Sequence, residues 1–159
     1  FAKDISGIID AVICVDLPSD VVEEKQLRDS LKKENIALIK LITPTTSDER
    51  IKEIVKGAEG FIYSVNVEGQ TGVKSANLDR VNLQIEKIKK YTTIPVVSGF
   101  GIKNEDDVKT FSKSKADGIV LGSAIVNEIQ KKSSKTLDKH IIANFLTDYC
   151  KKLINNLNT

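Results

Sequence analysis

The sequence is poor in the residues on which several specialised protein classes depend. Its 159 residues include no Trp, no Met, a single His and two cysteines, Cys14 and Cys150. These are too few for a zinc cluster or a disulfide scaffold. We therefore interpret the cysteines as small apolar residues in a reducing compartment and expect a cytoplasmic location. Aromatic residues make up only 5% of the chain, so the core must be built from Ile, Val, Leu and Ala.

The sequence also lacks a large excess of charge of either sign and has no long apolar run. Lys and Arg total 24 against 22 for Asp and Glu, so the net charge is +2. A balance this even, with both signs interspersed, argues against a nucleic-acid or membrane surface. No apolar run approaches the roughly 18 residues of a membrane span, and the start lacks the layout of a signal peptide. We predict one globular domain, residues 1–159.

Short apolar runs alternate with segments of helical periodicity along the whole chain. The runs at 11–15, 36–42, 61–67, 94–98 and 118–121 predict strands buried on both faces. Helices are predicted between them, one opened by a capping box of Thr46 and Glu49 and one capped by Asn104. This rhythm indicates a parallel sheet with right-handed crossovers. Lys40 interrupts the second strand, and we expect its amine to reach water between the covering helices.

Five such units fit two architectures. No Gly-x-Gly-x-x-Gly follows the first strand, which argues against a dinucleotide-binding fold. The remaining choices are an open flavodoxin-like sheet and part of a (βα)8 barrel. A complete barrel needs about 250 residues and at least about 200, so a barrel would be incomplete by roughly three units.

Glycine-containing loops follow the last three predicted strands. They lie at 69–72, 99–101 and 122–123, and the third opens a short helix from about Ala124. Ligands of parallel α/β folds bind at the carboxyl ends of the strands. Glycine admits close backbone approach, and a helix N-terminus offers unpaired N–H groups. Each loop alone is more typical of a tight turn or a helix cap, but the three together predict a phosphate site that needs no Lys or Arg.

Six motifs, taken jointly, resemble the tryptophan synthase alpha chain family. They are Asp16-Leu17-Pro18, Thr43-Pro44-Thr45-Thr46, Gly60-Phe61-Ile62-Tyr63, Gly69-Gln70-Thr71-Gly72, Gly99-Phe100-Gly101-Ile102 and Gly122-Ser123-Ala124-Ile125-Val126. Their order and spacing agree with the later part of the family's chain. The resemblance implies that this chain is the C-terminal portion of a (βα)8 TIM barrel, with its five strands as barrel strands four to eight.

The resemblance also implies a carbon–carbon lyase of tryptophan biosynthesis. The family cleaves indole-3-glycerol phosphate to indole and glyceraldehyde 3-phosphate by a retro-aldol reaction. The expected phosphate ligands are Gly72, Gly101, Gly122 and Ser123. The expected indole pocket comprises Ile13, Val15, Leu41, Tyr63 and Phe100. Gly69 and Thr71 would belong to a mobile lid over the substrate.

The catalytic and partner expectations come from the same resemblance. The family's proton-transfer glutamate and aspartate lie upstream of Phe1, so no residue of this segment is assigned a catalytic role. Family members pair with a beta chain in an alpha2-beta2 assembly. The pyridoxal phosphate belongs to that partner, so neither a cofactor nor a metal is expected here. The alternatives are a non-catalytic phosphate-binding partial barrel and another phosphate-barrel enzyme, either an isomerase or a thiamin-phosphate synthase.

Overall fold

The computed structural model describes residues 1–18, 21–65, 75–99, 104–135 and 138–157, with the side chains of 75–77 excepted. A short 3-10 helix, Ala2–Ile5, precedes the first strand. Strands and helices then alternate as the periodicity predicts. In chain order they are β1 Ala11–Ile13, α1 Val22–Lys33, β2 Ala37–Ile42, α2 Asp48–Val55, β3 Ile62–Val65, α3 Ser75–Lys89, β4 Val96–Gly99, α4 Glu105–Phe111, β5 Gly118–Val120, α5 Ser123–Ser133 and α6 Lys139–Leu157.

The order of the strands distinguishes between the two predicted architectures. The five strands form one parallel sheet in the order β1-β2-β3-β4-β5. A flavodoxin-like sheet has the order 2-1-3-4-5, because its first crossover runs in the opposite direction. Here every crossover advances in the same direction, which is the winding of a (βα) barrel. The prediction of a partial barrel is confirmed: the chain is an α/β half-barrel.

The main core lies between one face of the sheet and the helices that cover it. Large aliphatic residues from β2, β3 and β4 point into it, and α2, α3, α4 and α6 supply the other side. Its fully buried members include Ile42, Ile51, Ile62, Ile85, Ile88, Val96, Val108, Phe111 and Leu153. A smaller cluster of Leu31, Ile36 and Leu38 lies where α1 covers β1 and β2. Aliphatic residues thus build the core, as the low aromatic content predicts.

One predicted helix cap is confirmed and the other is wrong by one residue. The Asn104 side chain accepts a hydrogen bond from the Asp107 N–H at 2.9 Å, as predicted for α4. At α2 the cap is Ser47, whose hydroxyl accepts from the Arg50 N–H at 3.2 Å. The Thr46 hydroxyl instead accepts from the Thr43 N–H at 3.1 Å and closes the turn after β2. Both Thr46 and Ser47 carry a hydroxyl that suits an N-cap. Because the Thr46 hydroxyl is engaged in the turn, Ser47 caps the helix.

The expectation for Lys40 is wrong. Its side chain does not reach water: the residue is 4% exposed and its ammonium pairs with the carboxylate of Glu24 on α1, itself 3% exposed. Lys40 shares the helix-facing side of β2 with Leu38 and Ile42, because alternate residues of a strand point to one face. Since α1 lies directly over that face, it supplies a counter-ion in place of a path to solvent.

None of the helices in the described ranges combines the length and the hydropathy that a bilayer-spanning helix requires.

Candidate functional site

The carboxyl ends of the five strands lie along one edge of the sheet. The described segments at this edge are the end of β1 with residues 14–18, the end of β2 with residues 43–47, and Gly122 after β5. The stretches that follow β3 and β4, 66–74 and 100–103, lie outside the described residues. Parallel strands therefore present the first, second and fifth loops to a common region.

Three of the predicted pocket residues share the side of the sheet that faces away from the helices. In the β1–β2 and β2–β3 pairings, Ile13 is opposite Ile39 and Leu41 is opposite Tyr63. Paired residues of neighbouring strands point to the same side, so Ile13, Leu41 and Tyr63 lie on one concave face. Ile13 is 46% exposed, whereas Leu41 and Tyr63 are half-buried. This half-barrel therefore offers a partly open apolar surface.

A cavity of about 270 Å³ lies at the carboxyl ends of β1 and β2. Val15 and Leu41, two of the predicted pocket residues, are among the residues that line it, together with Cys14, Leu17 and Lys40. Val15 remains 74% exposed, because it lies beyond the last residue of β1. Ile13 and Tyr63 are not among the lining residues. The cavity thus unites two of the predicted residues, and the register places the other two beside it.

Gly122 and Ser123 form the amino end of α5, directly after β5. Gly122 is the N-cap, and its carbonyl accepts the first helical hydrogen bond from the Val126 N–H at 3.1 Å. Both residues are exposed, and the cap carries no side-chain hydrogen bond. A Cβ at Gly122 would have no atom within 4 Å among the described residues that are not its chain neighbours. Within the described ranges nothing covers the amino end of this helix, and the N–H groups of its first turn are available to an anion.

The first turn of α5 carries no acidic side chain, a feature that α5 shares with α3 and α6. The first turns of α1, α2 and α4 carry acidic side chains, which suit the positive end of the helix dipole. The first turn of α5 carries none. Its dipole is consequently not neutralised by the helix's own residues.

The other predicted site residues fall outside the described ranges. These are Gly69, Thr71 and Gly72 of the predicted lid and phosphate loop, and Phe100 and Gly101 of the loop after β4. Their roles stay predictions.

Asp48, the first residue of α2, has a shifted pKa. The Tyr91 hydroxyl donates to it at 2.8 Å and the Lys87 ammonium lies 3.0 Å away. These two hydrogen bonds lower the pKa of Asp48, and the Tyr91 bond to the carboxylate raises the pKa of Tyr91. Lys87 also donates to the Thr46 carbonyl at 2.8 Å. Because the carboxylate is ionised and engaged, its chemistry is that of an anchor between α2 and α3.

The Glu24–Lys40 pair was not found by sequence reasoning. The available signal was Lys40 itself, because a lysine in a strand buried on both faces almost always has a partner. The partner is 16 residues away, and Arg28 approaches the same glutamate at 3.9 Å from the next turn of α1. Both charged groups border the cavity.

Metal ligands are not clustered in the ranges that the structure covers: no three His, Cys, Asp or Glu side chains come close enough to hold an ion there. Cys14 and Cys150 are both half-buried free thiols.

Consecutive parallel strands with helices on one face define a (βα)-barrel protein, a class whose ligand sites lie at the carboxyl ends of the strands. The comparison with known families is more specific. The tryptophan synthase alpha chain model matches residues 2–154, and the chain belongs to this family.

The individual relatives agree with this assignment. The chain is 40% identical over 127 residues to the tryptophan synthase alpha chain of Erythrobacter litoralis, covering 79% of this chain and 48% of that protein. It is 43% identical over 122 residues to the one from Caulobacter vibrioides, covering 77% and 43%. The chain therefore spans about half the length of the curated relatives it matches.

Solved structures show the same relationship in three dimensions. The tryptophan synthase alpha subunit of Campylobacter jejuni superposes with a TM-score of 0.74 at 36% identity, covering 92% of this chain and 56% of that one. An alpha-subunit variant from Pyrococcus furiosus gives 0.74 at 28% identity, covering 97% and 58%. The half-barrel is similar to a part of each longer chain.

Proposed function

We propose that the full-length protein catalyses the tryptophan synthase alpha reaction, the cleavage of indole-3-glycerol phosphate to indole and glyceraldehyde 3-phosphate. Within it, residues 1–159 form a single domain, the C-terminal portion of the (βα)8 barrel, and this portion binds the phosphate and part of the indole. The observation that carries the proposal is the open, acid-free amino end of α5 in a chain of this family.

The phosphate end of the site is proposed at Gly122 and Ser123. Their position after the last strand matches the common placement of phosphate in (βα)8 barrels, at the N-terminus of a short extra helix. The Ser123 hydroxyl would donate to a phosphate oxygen, and the helix N–H groups would supply the remaining donors. Gly72 and Gly101 are proposed to add backbone N–H groups from the loops after β3 and β4.

The apolar end is proposed on the concave face. Leu41 and Tyr63 lie side by side there, with Ile13 and Val15 toward the β1 edge. A planar indole favours a flat apolar surface, and the ring of Tyr63 offers one. Phe100 is proposed to flank the indole from the loop after β4, and the 69–72 loop, with Gly69 and Thr71, to exclude water as a lid.

We propose that the five strands are strands four to eight of the complete barrel. Two helices, α5 and α6, follow β5, whereas one follows each of β1 to β4 among the described elements. The additional helix belongs after the seventh or eighth strand in phosphate-binding barrels, which supports β5 as strand eight. The proton-transfer carboxylates would then come from upstream strands. A beta chain that holds pyridoxal phosphate is the proposed partner, in an alpha2-beta2 assembly.

The test uses the full-length gene product with indole-3-glycerol phosphate, alone and with a beta chain. We expect release of indole and glyceraldehyde 3-phosphate, faster with the beta chain. Ser123→Ala is expected to raise KM about tenfold or more, because a hydrogen bond to a charged group contributes about 1.5–3 kcal/mol. Binding of glycerol phosphate without any turnover under either condition would identify a non-catalytic phosphate-binding protein instead.

Ser134→Ala is the matched control. Ser134 lies at the other end of α5, where its exposed hydroxyl donates to the Lys131 carbonyl at 2.8 Å. This variant is expected to leave KM unchanged. An equal rise in KM in both serine variants would mean that the helix was perturbed generally, and would remove Ser123 from the site.

A further inference from the structure

The strands β1 and β2 are paired over only part of the length of β2. The pairing ends where Ile13 lies opposite Ile39, whereas β2 continues to Ile42. Among the described residues, the stretch 14–18 therefore follows β1 without a backbone ladder to hold it against the end of β2. The cavity of about 270 Å³ lies at this point and is lined by both strand ends. Its width consequently depends on how closely residues 14–18 approach β2.

The ion pair of Glu24 with Lys40 bridges the same two parts of the chain. Glu24 lies in the first turn of α1, the helix that follows residues 14–18, and Lys40 lies beyond the last β1–β2 pair. Both side chains line the cavity, and they are 3% and 5% exposed. Leu27 and Leu31, which join α1 to the smaller core cluster, lie one and two turns further along the helix. The ion pair therefore ties the beginning of α1 to the end of β2, next to the cavity.

Stability alone does not account for charged residues at these two positions. A buried ion pair loses the hydration of both groups, and apolar residues of similar volume are often equally stabilising. Leu38 and Ile42, the neighbouring residues on the same side of β2, are both buried in apolar clusters. An ion pair differs from such apolar contacts because it fixes the distance and direction between two groups, whereas apolar contacts are not directional.

Arg28 offers Glu24 a second partner that belongs to α1 itself. Its guanidinium lies 3.9 Å from the carboxylate, one turn further along the helix. A Cβ built at Gly57 would lie 2.5 Å from Nη1 of Arg28, so the guanidinium is packed against the chain just after α2. If Lys40 is removed, Glu24 keeps a charged partner, but that partner does not join α1 to β2. Lys40→Met therefore breaks the bridge without leaving the buried carboxylate unpaired.

We infer that Glu24 and Lys40 form a positioning pair: their ion pair holds residues 14–18 against the end of β2 and so sets the width of the cavity at the apolar end of the site. The consequence for catalysis rests on the proposed function. Without the ion pair, Val15 would move away from Leu41 and the indole would be held less closely. The phosphate end of the site, which follows β5, would be unaffected.

The first readout is the reactivity of Cys14, a half-buried free thiol that lines the cavity. The full-length protein and its variants are treated with iodoacetamide without denaturant, and labelling at each cysteine is followed by mass spectrometry of the peptides. Lys40→Met is expected to raise the labelling rate of Cys14 about tenfold, because the residues around the thiol open more often. Cys150, on α6, is the internal standard and should keep its rate. Lys115→Met, which breaks an exposed ion pair with Glu86, is the matched control and should change neither rate.

The double variant of Glu24→Leu and Lys40→Met separates positioning from stability. The apolar replacement should return the urea midpoint toward that of the wild type. Cys14 should still react about tenfold faster than in the wild type, because apolar contacts do not fix residues 14–18 in one place. A pair that only stabilises the fold would instead let the labelling slow down as the stability returns.

A wild-type labelling rate of Cys14 in either variant would overturn the inference. Each of the two variants decides the question by itself if the other does not fold. The labelling does not depend on the reaction, so a wild-type protein without lyase activity would refute the proposed function and leave this test of the ion pair valid.

The second readout compares KM for indole-3-glycerol phosphate with Kd for glycerol phosphate in the double variant. KM is expected to rise about fivefold, because the indole is held less closely. The Kd should stay within about twofold of the wild-type value, because glycerol phosphate lacks the indole. An unchanged KM together with fast labelling of Cys14 would overturn the inference that the pair sets the shape of the site.

Discussion

Removing one member of the buried Glu24–Lys40 pair is expected to destabilise the protein more than removing both. The two side chains are 3% and 5% exposed and join α1 to β2. A buried charge without a partner lowers the free energy of unfolding by about 3–5 kcal/mol. Replacing both members with apolar residues of similar volume is often neutral or stabilising.

The two single variants should differ in a definite order. Glu24→Leu removes the partner of Lys40 and should cost about 3–5 kcal/mol. Lys40→Met leaves Glu24 with Arg28, whose guanidinium lies 3.9 Å away and is 28% exposed. That residual pairing should limit the cost to roughly 2–3 kcal/mol. The double variant should lie within about 1 kcal/mol of the wild type.

The measurement is equilibrium unfolding in urea, followed by circular dichroism of the full-length protein, with the m-value checked for each variant. Lys115→Met is the control, because the Lys115–Glu86 pair is exposed by 55% and 42%. It should cost less than about 1 kcal/mol. If the double variant is as unstable as the sum of the two singles, the pair does not act as a unit and the reasoning fails.

Two further predictions concern stability. Burial alone would raise the pKa of Asp117, but the Lys89 ammonium at 2.8 Å and the Val96 N–H at 2.7 Å outweigh it and lower that pKa. The stability from this carboxylate is therefore present above the unfolded-state pKa and is lost as the pH falls through the lower folded-state value. In the Asp117→Asn variant, the free energy of unfolding should fall less between neutral pH and pH values below about 4 than it does in the wild type. The difference should be less than about 1 kcal/mol, because the pair is half-exposed. If the free energy of unfolding of the variant falls with pH as it does in the wild type, the prediction is contradicted. Ser64 is fully buried on β3, and its hydroxyl finds no hydrogen-bond partner in the structure as described. Ser64→Ala should raise the free energy of unfolding by about 1 kcal/mol, with the exposed Ser30→Ala as control, and a loss of stability would mean that the hydroxyl is satisfied.

The spacing of apolar residues predicted the order of strands and helices along the chain well. This spacing depends on which face of a strand or helix is covered by its neighbours. The strands at 11–13, 37–42, 62–65, 96–99 and 118–120 all lie within or close to the predicted runs. Helix ends were less determined: Thr46 and Ser47 both suit an N-cap, and the turn after β2 engages the first of them. The predicted pocket residues on described strands lie on or beside one face, since alternation in a strand fixes their side once the register is known. The predictions for Gly69, Thr71, Gly72, Phe100 and Gly101 concern residues outside the described ranges and stand as they were made.

The sequence by itself determined the alternation of strands and helices, the aliphatic core and membership of the tryptophan synthase alpha chain family. Each of these follows from the types of residue and their spacing along the chain. Only the tertiary structure decided the order of the strands and the burial of Lys40 against Glu24. Each of these joins residues at least 16 positions apart in the chain. Such contacts depend on how the helices and strands pack, and spacing along the chain does not encode that.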